Sequence, residues 1–172
     1  MKGGSMDVSL VASSHPLLST NLEKFDFTNP PIPPHELATI LVTKLLEYNG
    51  LGLSANQLGL PYRAFAMVGA PPFCIFNPRI VDAGDTQVLM EEGCLSFPNL
   101  SINIKRSKTI KVRYEDFDGN VHTEKFSGLT ARIFQHELDH LNGIVYTSRA
   151  NKIHLDRAMR QKKVHDRFAK SV

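Results

Sequence analysis

The sequence predicts an α+β fold: small mixed or antiparallel sheets packed around a central helix, with one helix ahead of them and a basic helix at the C-terminal end. Three observations carry this reading. The elements run helix, strands, helix, helix, without the strand–helix alternation that builds a parallel sheet. Two of the strands flank an Asp-Gly turn, which marks an antiparallel hairpin. The 172 residues, 42% hydrophobic and 22% charged, suffice for one domain with a real core. Residues 1–14 read as a flexible N-terminus, 15–150 as the main domain, and 151–172 as a basic helical tail of that same domain.

Taken in order, the chain up to Pro34 is irregular, because Asn29-Pro30-Pro31-Ile32-Pro33-Pro34 fixes φ repeatedly and withholds backbone donors. Over 35–49, Leu37, Ile40, Leu41, the Lys44 stem, Leu45 and Tyr48 recur at helical spacing, with Gly50 at the C′ position. β-rich runs follow at 63–68, 73–81, 86–90, 108–114 and 121–126. The last two enclose Asp116-Phe117-Asp118-Gly119-Asn120. A second helix begins after Ser127 as N-cap and runs to Asn142, where Gly143 closes it. A third starts near Asn151.

Charge and cysteine usage narrow the classes. The net charge of +3 is too small to argue for nucleic acid, and no DNA partner is expected. Its distribution is uneven: residues 149–172 hold eight basic residues against two acids, +6, which leaves −3 for the rest. Two cysteines, Cys74 and Cys94, make no disulfide framework for a chain of this size and point to a reducing compartment. No apolar run approaches the roughly 18 residues of a spanning helix, and Met1 to Met6 lack the apolar core of a signal peptide. A monomeric cytoplasmic protein without a membrane partner is the expectation.

The strongest chemical signal is His136-Glu137-Leu138-Asp139-His140 in the second helix. Histidines four apart share a helix face, so both imidazoles can hold one metal ion while Glu137 reaches a water on it. A divalent ion brings the pKa of such a water toward about 7, and a carboxylate can take and return its proton. This is machinery for hydrolysing an amide or ester. A catalytic site of this kind takes three protein ligands. No glutamate follows Glu137, which excludes a gluzincin; Gly143 fits a metzincin, but Tyr146 stands where its third histidine belongs. His154, Asp156, His165 and Asp166 fall on the basic tail. An upstream thiolate remains. Cys74 lies in an apolar strand and reads as a small core residue, whereas Cys94 lies in the turn-like Glu92-Gly93-Cys94-Leu95-Ser96-Phe97-Pro98. A third segment, Gly50-Leu51-Gly52-Leu53-Ser54-Ala55-Asn56-Gln57, lacks the lysine of a phosphate loop. It reads either as a helix cap and tight turn or as backbone lying close to a ligand, with the Gln57 amide as donor to an oxyanion.

Together the segments Gly50 to Gln57, Glu92 to Ser96 and Gln135 to Leu141 resemble the motifs of the peptide deformylase family, in the family's order. His15-Pro16-Leu17-Leu18, Asn77-Pro78-Arg79-Ile80 and Ile104-Lys105-Arg106 extend the likeness over nearly the whole chain. Ser54 and Asn56 depart slightly from the pattern, and Asn56, where proline is frequent, leaves the loop before Gln57 less constrained. The resemblance implies a metal held by Cys94, His136 and His140, with Fe(II) native and Zn, Ni or Co as alternatives. It implies that a water activated by Glu137 attacks the formyl group of an N-formylmethionyl nascent peptide. Gln57 and the Leu95 N–H would meet the oxyanion, and formate would leave. Gly50, Gly52, Glu92 and Gly93 would lie along the extended substrate, with Leu129 and Ile133 near its methionine. Arg106 is expected in a structural ion pair, and the basic tail would dock on the ribosome. Another metal-dependent amidase or peptidase, or a non-catalytic metal-stabilised module that binds the ribosome, are the alternatives.

Overall fold

A proline at the first helical position sacrifices no hydrogen bond, and Pro34 opens helix α1, Pro34–Glu47, in this computed structural model, which describes residues 8–169. Its buried stripe is Leu37, Ala38, Leu41 and Leu45, at the predicted spacing. The C-terminal cap differs by one residue from the prediction. Asn49, not Gly50, takes the left-handed conformation (φ 52°). Its N–H donates to the Leu46 carbonyl and that of Gly50 to Leu45, a Schellman motif.

Seven strands follow: β1 Gly52–Ser54, β2 Ala64–Met67, β3 Phe73–Ala83, β4 Gln87–Cys94, β5 Phe97–Ser107, β6 Thr109–Glu115 and β7 Val121–Ser127. Every pairing is antiparallel. Five strands form one sheet in the order β1-β2-β3-β6-β7, and β4 and β5 form a separate ribbon, so β1 is an edge strand. The predicted Asp-Gly hairpin joins β6 to β7, with the Asp116 carboxylate accepting from the Asp118 and Asn120 N–H groups. Strands β1 and β5 were not predicted. β1 has only three residues, too few to show a period. β5 alternates buried Leu100, Ile102, Ile104 and Arg106 with exposed neighbours, but Pro98, Asn99 and a buried arginine obscure that rhythm.

Helix α2, Gly128–Leu141, is central as expected. Ten of its fourteen residues are buried, because it packs between the large sheet and the β4–β5 ribbon. β2 explains how the sheet is covered on both sides: Phe65 and Met67 join the α2 cluster with Ile75, Val112 and Phe134, while Ala64 and Ala66 face Leu37, Leu41 and Leu45 of α1. Ser127 occupies the N-cap without a side-chain bond. Gly143 ends the helix at φ 70°, where a β-carbon would come within 2.8 Å of the Ser19 backbone. Cys74 is buried in the α1 cluster, and burial pushes its thiol pKa up, as suits a core residue.

The N-terminus departs from expectation. From Val8 onward it is anchored: Val8 belongs to the core, and the Val11 N–H donates to the Gln57 carbonyl at 2.9 Å. Residues 1–7 of the predicted loose segment lie outside the described residues. Helix α3, Lys152–Ala169, packs Ala158 and part of Leu155 against Leu100, Ile102, Ile104 and Tyr146. Met159 and Val164 are exposed, as are Ile153 and Phe168. Among the described residues, no helix is long and apolar enough to cross a membrane.

Candidate active site

Tertiary packing brings the three separate motifs to one place. β4 delivers Cys94 immediately before a two-residue turn, Leu95-Ser96, and the register shifts between Glu92 and Cys94. Such a bulge re-aims side chains at a strand end. Helix α2 delivers His136 and His140 one turn apart, with ring centroids 5.0 Å from each other. The ligand atoms of Cys94, His136 and His140 all lie within 4.8 Å of one another. Cys94 Sγ is 3.3 Å from His140 Nε2.

Glu92 was expected along the substrate, but its carboxylate turns inward. Oε2 accepts from His136 Nδ1 at 2.9 Å, and the two oxygens take Arg106 Nε and Nη2 at 2.6 and 3.0 Å and Arg132 Nη1 at 2.7 Å. An ionised carboxylate only accepts, so Nδ1 carries the proton and Nε2 keeps its lone pair for a ligand role. Burial alone would raise the Glu92 pKa; the hydrogen bonds from His136, Arg106 and Arg132 and the Arg106 charge outweigh it and hold the group far below the usual carboxylate range. Arg106 also donates to Asp139 Oδ2 at 2.7 Å, and Arg149 grips the same carboxylate through Nε and Nη2 at 3.1 and 2.7 Å. Arg106 thus sits in the ion pair expected of it. Arg132, Asp139 and Arg149 escaped the sequence reading. Arg132 alone left a signal, since it lies four residues before His136 on the same helix face.

Glu137 is buried, and burial lifts its pKa to about 7, with the His136 charge opposing. Among the described residues its Oε2 finds no hydrogen-bond partner, and neither does His140 Nδ1. A buried carboxylate oxygen left open this way fits a site that takes a further polar group. One thiolate and two imidazoles suit a borderline-soft divalent ion. Burial works against charging His136, yet its hydrogen bonds to Cys94 and Glu92 and the Glu137 charge lift its pKa to about 10.

Gly52 explains why Glu137 fits. A β-carbon there would lie 2.7 Å from Glu137 Cδ and Cγ, so this glycine makes room for the carboxylate rather than for a peptide. At Gly50 a β-carbon would come 2.9 Å from Leu95 Cδ1. Gln57 closes a capping box with Ser54: its Oε1 accepts the Ser54 N–H at 3.0 Å. Since a backbone N–H can only donate, Nε2 must face the other way, toward Ser96 Oγ at 3.0 Å and Cys94 Sγ at 3.5 Å. The loop before Gln57 is not loosened by Asn56, as its departure from the motif suggested. Asn56 is fully buried and donates to the Leu17 and His140 carbonyls. A cavity of about 460 Å³ opens over the group, lined among others by Gly50, Gly52, Gly93, Leu95, Leu129 and Ile133. Ile133 is buried and Leu129 half exposed at its wall.

A Cys/His/His donor set, its histidines buried and its cysteine half-buried, beside a helix glutamate on an α+β frame with an open groove, defines the class as a metal-dependent hydrolase. Residues 8–156 match the family model described as polypeptide deformylase. The chain is 37% identical over 168 residues to a peptide deformylase from the Wolbachia of Brugia malayi, covering 90% of this chain and 93% of that one. It is 44% identical over 110 residues to that of Thermotoga neapolitana, covering 63% and 67%. Among solved structures, a plant peptide deformylase superposes with a TM-score of 0.84 at 27% identity, covering 96% of this chain and 92% of that one. The Thermotoga maritima enzyme superposes at 0.76 and 35%, covering 84% and 97%. The chain belongs to the polypeptide deformylase family, metal-dependent hydrolases that remove the formyl group from nascent polypeptides.

Proposed function

We propose that Cys94, His136 and His140 hold one divalent ion, Fe(II) in the cell, and that Glu137 is the general base and acid of deformylation. The observation that carries this is the open Glu137 Oε2 buried beside the donor set. A metal held there supplies Lewis acidity and brings the pKa of a water toward about 7. Glu137 takes the proton of the attacking water at its carboxylate and returns it to the leaving amine. Gln57 Nε2 and the Leu95 N–H meet the charge that develops on the formyl oxygen. Glu92 holds the His136 ring in the tautomer that leaves Nε2 free.

The substrate lies along β1. An edge strand presents unpaired backbone donors and acceptors, and an extended peptide can add to it. The cavity wall at Leu129 and Ile133 takes the methionine side chain, and Gly93 lines the same cavity. Imidazole and thiolate suit Zn, Ni and Co as well as Fe(II), and a thiolate on Fe(II) makes the enzyme sensitive to oxygen. Anaerobic purification with metal analysis, followed by formate release from a formyl-Met peptide, tests the reading. Bound metal without formate would reject deformylation and leave a different amidase or a non-catalytic metal-stabilised module.

Gln57→Ala is expected to retain its metal and lose at least about tenfold in kcat, because one oxyanion donor is worth about 2.7–4 kcal/mol in the transition state. Near-normal turnover would remove Gln57 from the mechanism.

The enzyme acts in the cytoplasm as a monomer, and the outward basic face of α3 docks on ribosomal RNA, an anionic surface. Removal of everything after Thr147 would also delete Arg149 from Asp139 and Ala158 from the core. Charge replacement is the cleaner test. Exchanging Arg157, Arg160 and Lys163 for glutamine should abolish co-sedimentation with ribosomes at low salt and spare peptide turnover; unchanged co-sedimentation would refute the docking.

A further inference from the structure

Ser54 and Asn56 share the turn that presents Gln57, and both are fully buried. A buried amide is costly unless its polar atoms find partners. Asn56 finds them across the fold. Its Nδ2 donates to the Leu17 carbonyl at 3.1 Å and to the His140 carbonyl at 2.7 Å, and its Oδ1 accepts the Ser54 hydroxyl at 2.8 Å. The His140 carbonyl is among the last of α2, where the helix itself offers no i+4 donor; the Gly143 N–H shares it at 3.1 Å. The Ser54 hydroxyl also lies 3.0 Å from Gln57 Oε1. Its one proton serves one acceptor at a time; when it goes to Asn56, the Ser54 N–H still holds Gln57 Oε1 at 3.0 Å, so residue 54 joins the two amides. Short contacts therefore run from the His140 backbone through Asn56 and Ser54 to the Gln57 amide, and from Gln57 Nε2 to Cys94.

We propose that Ser54 and Asn56 are a positioning pair that locks the Gln57 amide to the backbone of His140, so that the oxyanion donor and the metal centre keep one relative geometry. An apolar residue of similar volume at 56 would fill the space but break this chain at its centre. A proline would remove all three side-chain bonds. The pair rests on the reading of Cys94, His136 and His140 as ligands and Gln57 as donor.

The test compares wild type, Ser54→Ala, Asn56→Ala, Asn56→Asp and the Ser54→Ala/Asn56→Ala double variant, each loaded with Co(II). The readouts are the visible absorption of the Co(II) protein, kcat and KM on a formyl-Met peptide, and melting of the metal-free protein. Asn56→Ala should shift the Co(II) band and lower kcat by about two- to tenfold, the reach of one or two neutral hydrogen bonds. KM should move less than about twofold, because the lost interaction acts on the transition state. Asn56→Asp keeps the acceptor for Ser54 but sets an oxygen against two carbonyls, and it should disturb the band more. The double variant should lose less than the product of the single losses, as residues of one network do. Unshifted Co(II) spectra with multiplicative losses would overturn the pair, leaving two packing residues. Ser54→Ala removes only a hydroxyl and decides the matter through its spectrum if Asn56→Asp does not fold. Absence of formate from the wild type would reject the deformylation reading alone, since the Co(II) spectra still judge the pair.

Discussion

Exchanging Glu137 for glutamine is expected to cut formate release by about 10²–10⁴-fold, the usual contribution of a positioned general acid–base group. Glutamine keeps the shape that Gly52 accommodates but can neither accept the water's proton nor return it to the amine. The effect should fall on kcat and kcat/KM together, because the lost interaction belongs to the transition state. Metal content should stay at the wild-type level, since the proposed donor atoms are those of Cys94, His136 and His140. Kinetics and metal analysis of the same preparation check this. Full activity with metal bound would show that Glu137 is a buried structural carboxyl.

The second large effect concerns stability. Among the described residues, Glu92→Gln removes the only negative charge that faces Arg132 within hydrogen-bond reach and halves the anionic partnership of Arg106, whose remaining partner is Asp139. Breaking a buried ion pair from one side costs about 3–5 kcal/mol because the partner charges stay buried. At about 2–4 °C per kcal/mol for a chain of this size, the melting temperature should fall by roughly 6–20 °C. The pH dependence adds a second check. Glu92 has a depressed pKa in the fold, so its stabilisation is complete above the ordinary carboxylate value of 4.5 and is lost as pH falls through the folded value. Wild type and variant should therefore differ most near neutrality and converge in strong acid, when both are followed by thermal melting of the metal-free protein. Parallel curves down to the lowest pH would show that the Glu92 charge is not what the cluster needs. The variant should also bind metal more weakly, because one neutral amide oxygen must replace the charged carboxylate that His136, Arg106 and Arg132 share, which weakens the bond that orients the His136 ring.

Where periodicity and turn chemistry act within a few residues, the sequence was legible. The α1 stripe, the Asp116–Asn120 hairpin and the Gly143 stop of α2 all follow from local preferences that the fold did not override. The grouping of His136, Glu137 and His140 was equally readable, because one helical turn relates them. The placing of Cys94 beside the two histidines needed elimination and a family likeness, since nothing local distinguishes a candidate ligand cysteine from a buried one. The cap of α1 was misplaced by one residue because Asn49 tolerates the left-handed region that Gly50 also could have taken.

Residue types and their order therefore define the chemistry of this enzyme: which atoms can bind a cation, which carboxyl can carry a proton, which amide can donate. Their mutual placement comes from contacts between segments far apart in the chain. Glu92 faces His136 across 44 positions, Asn56 reaches His140 across 84, and Gly52 leaves space for a glutamate 85 residues later, between 52 and 137. Such roles have no sequence period because packing of the ribbon and the sheet onto α2 creates them. A buried charge or amide must find its partner wherever the folded chain brings one.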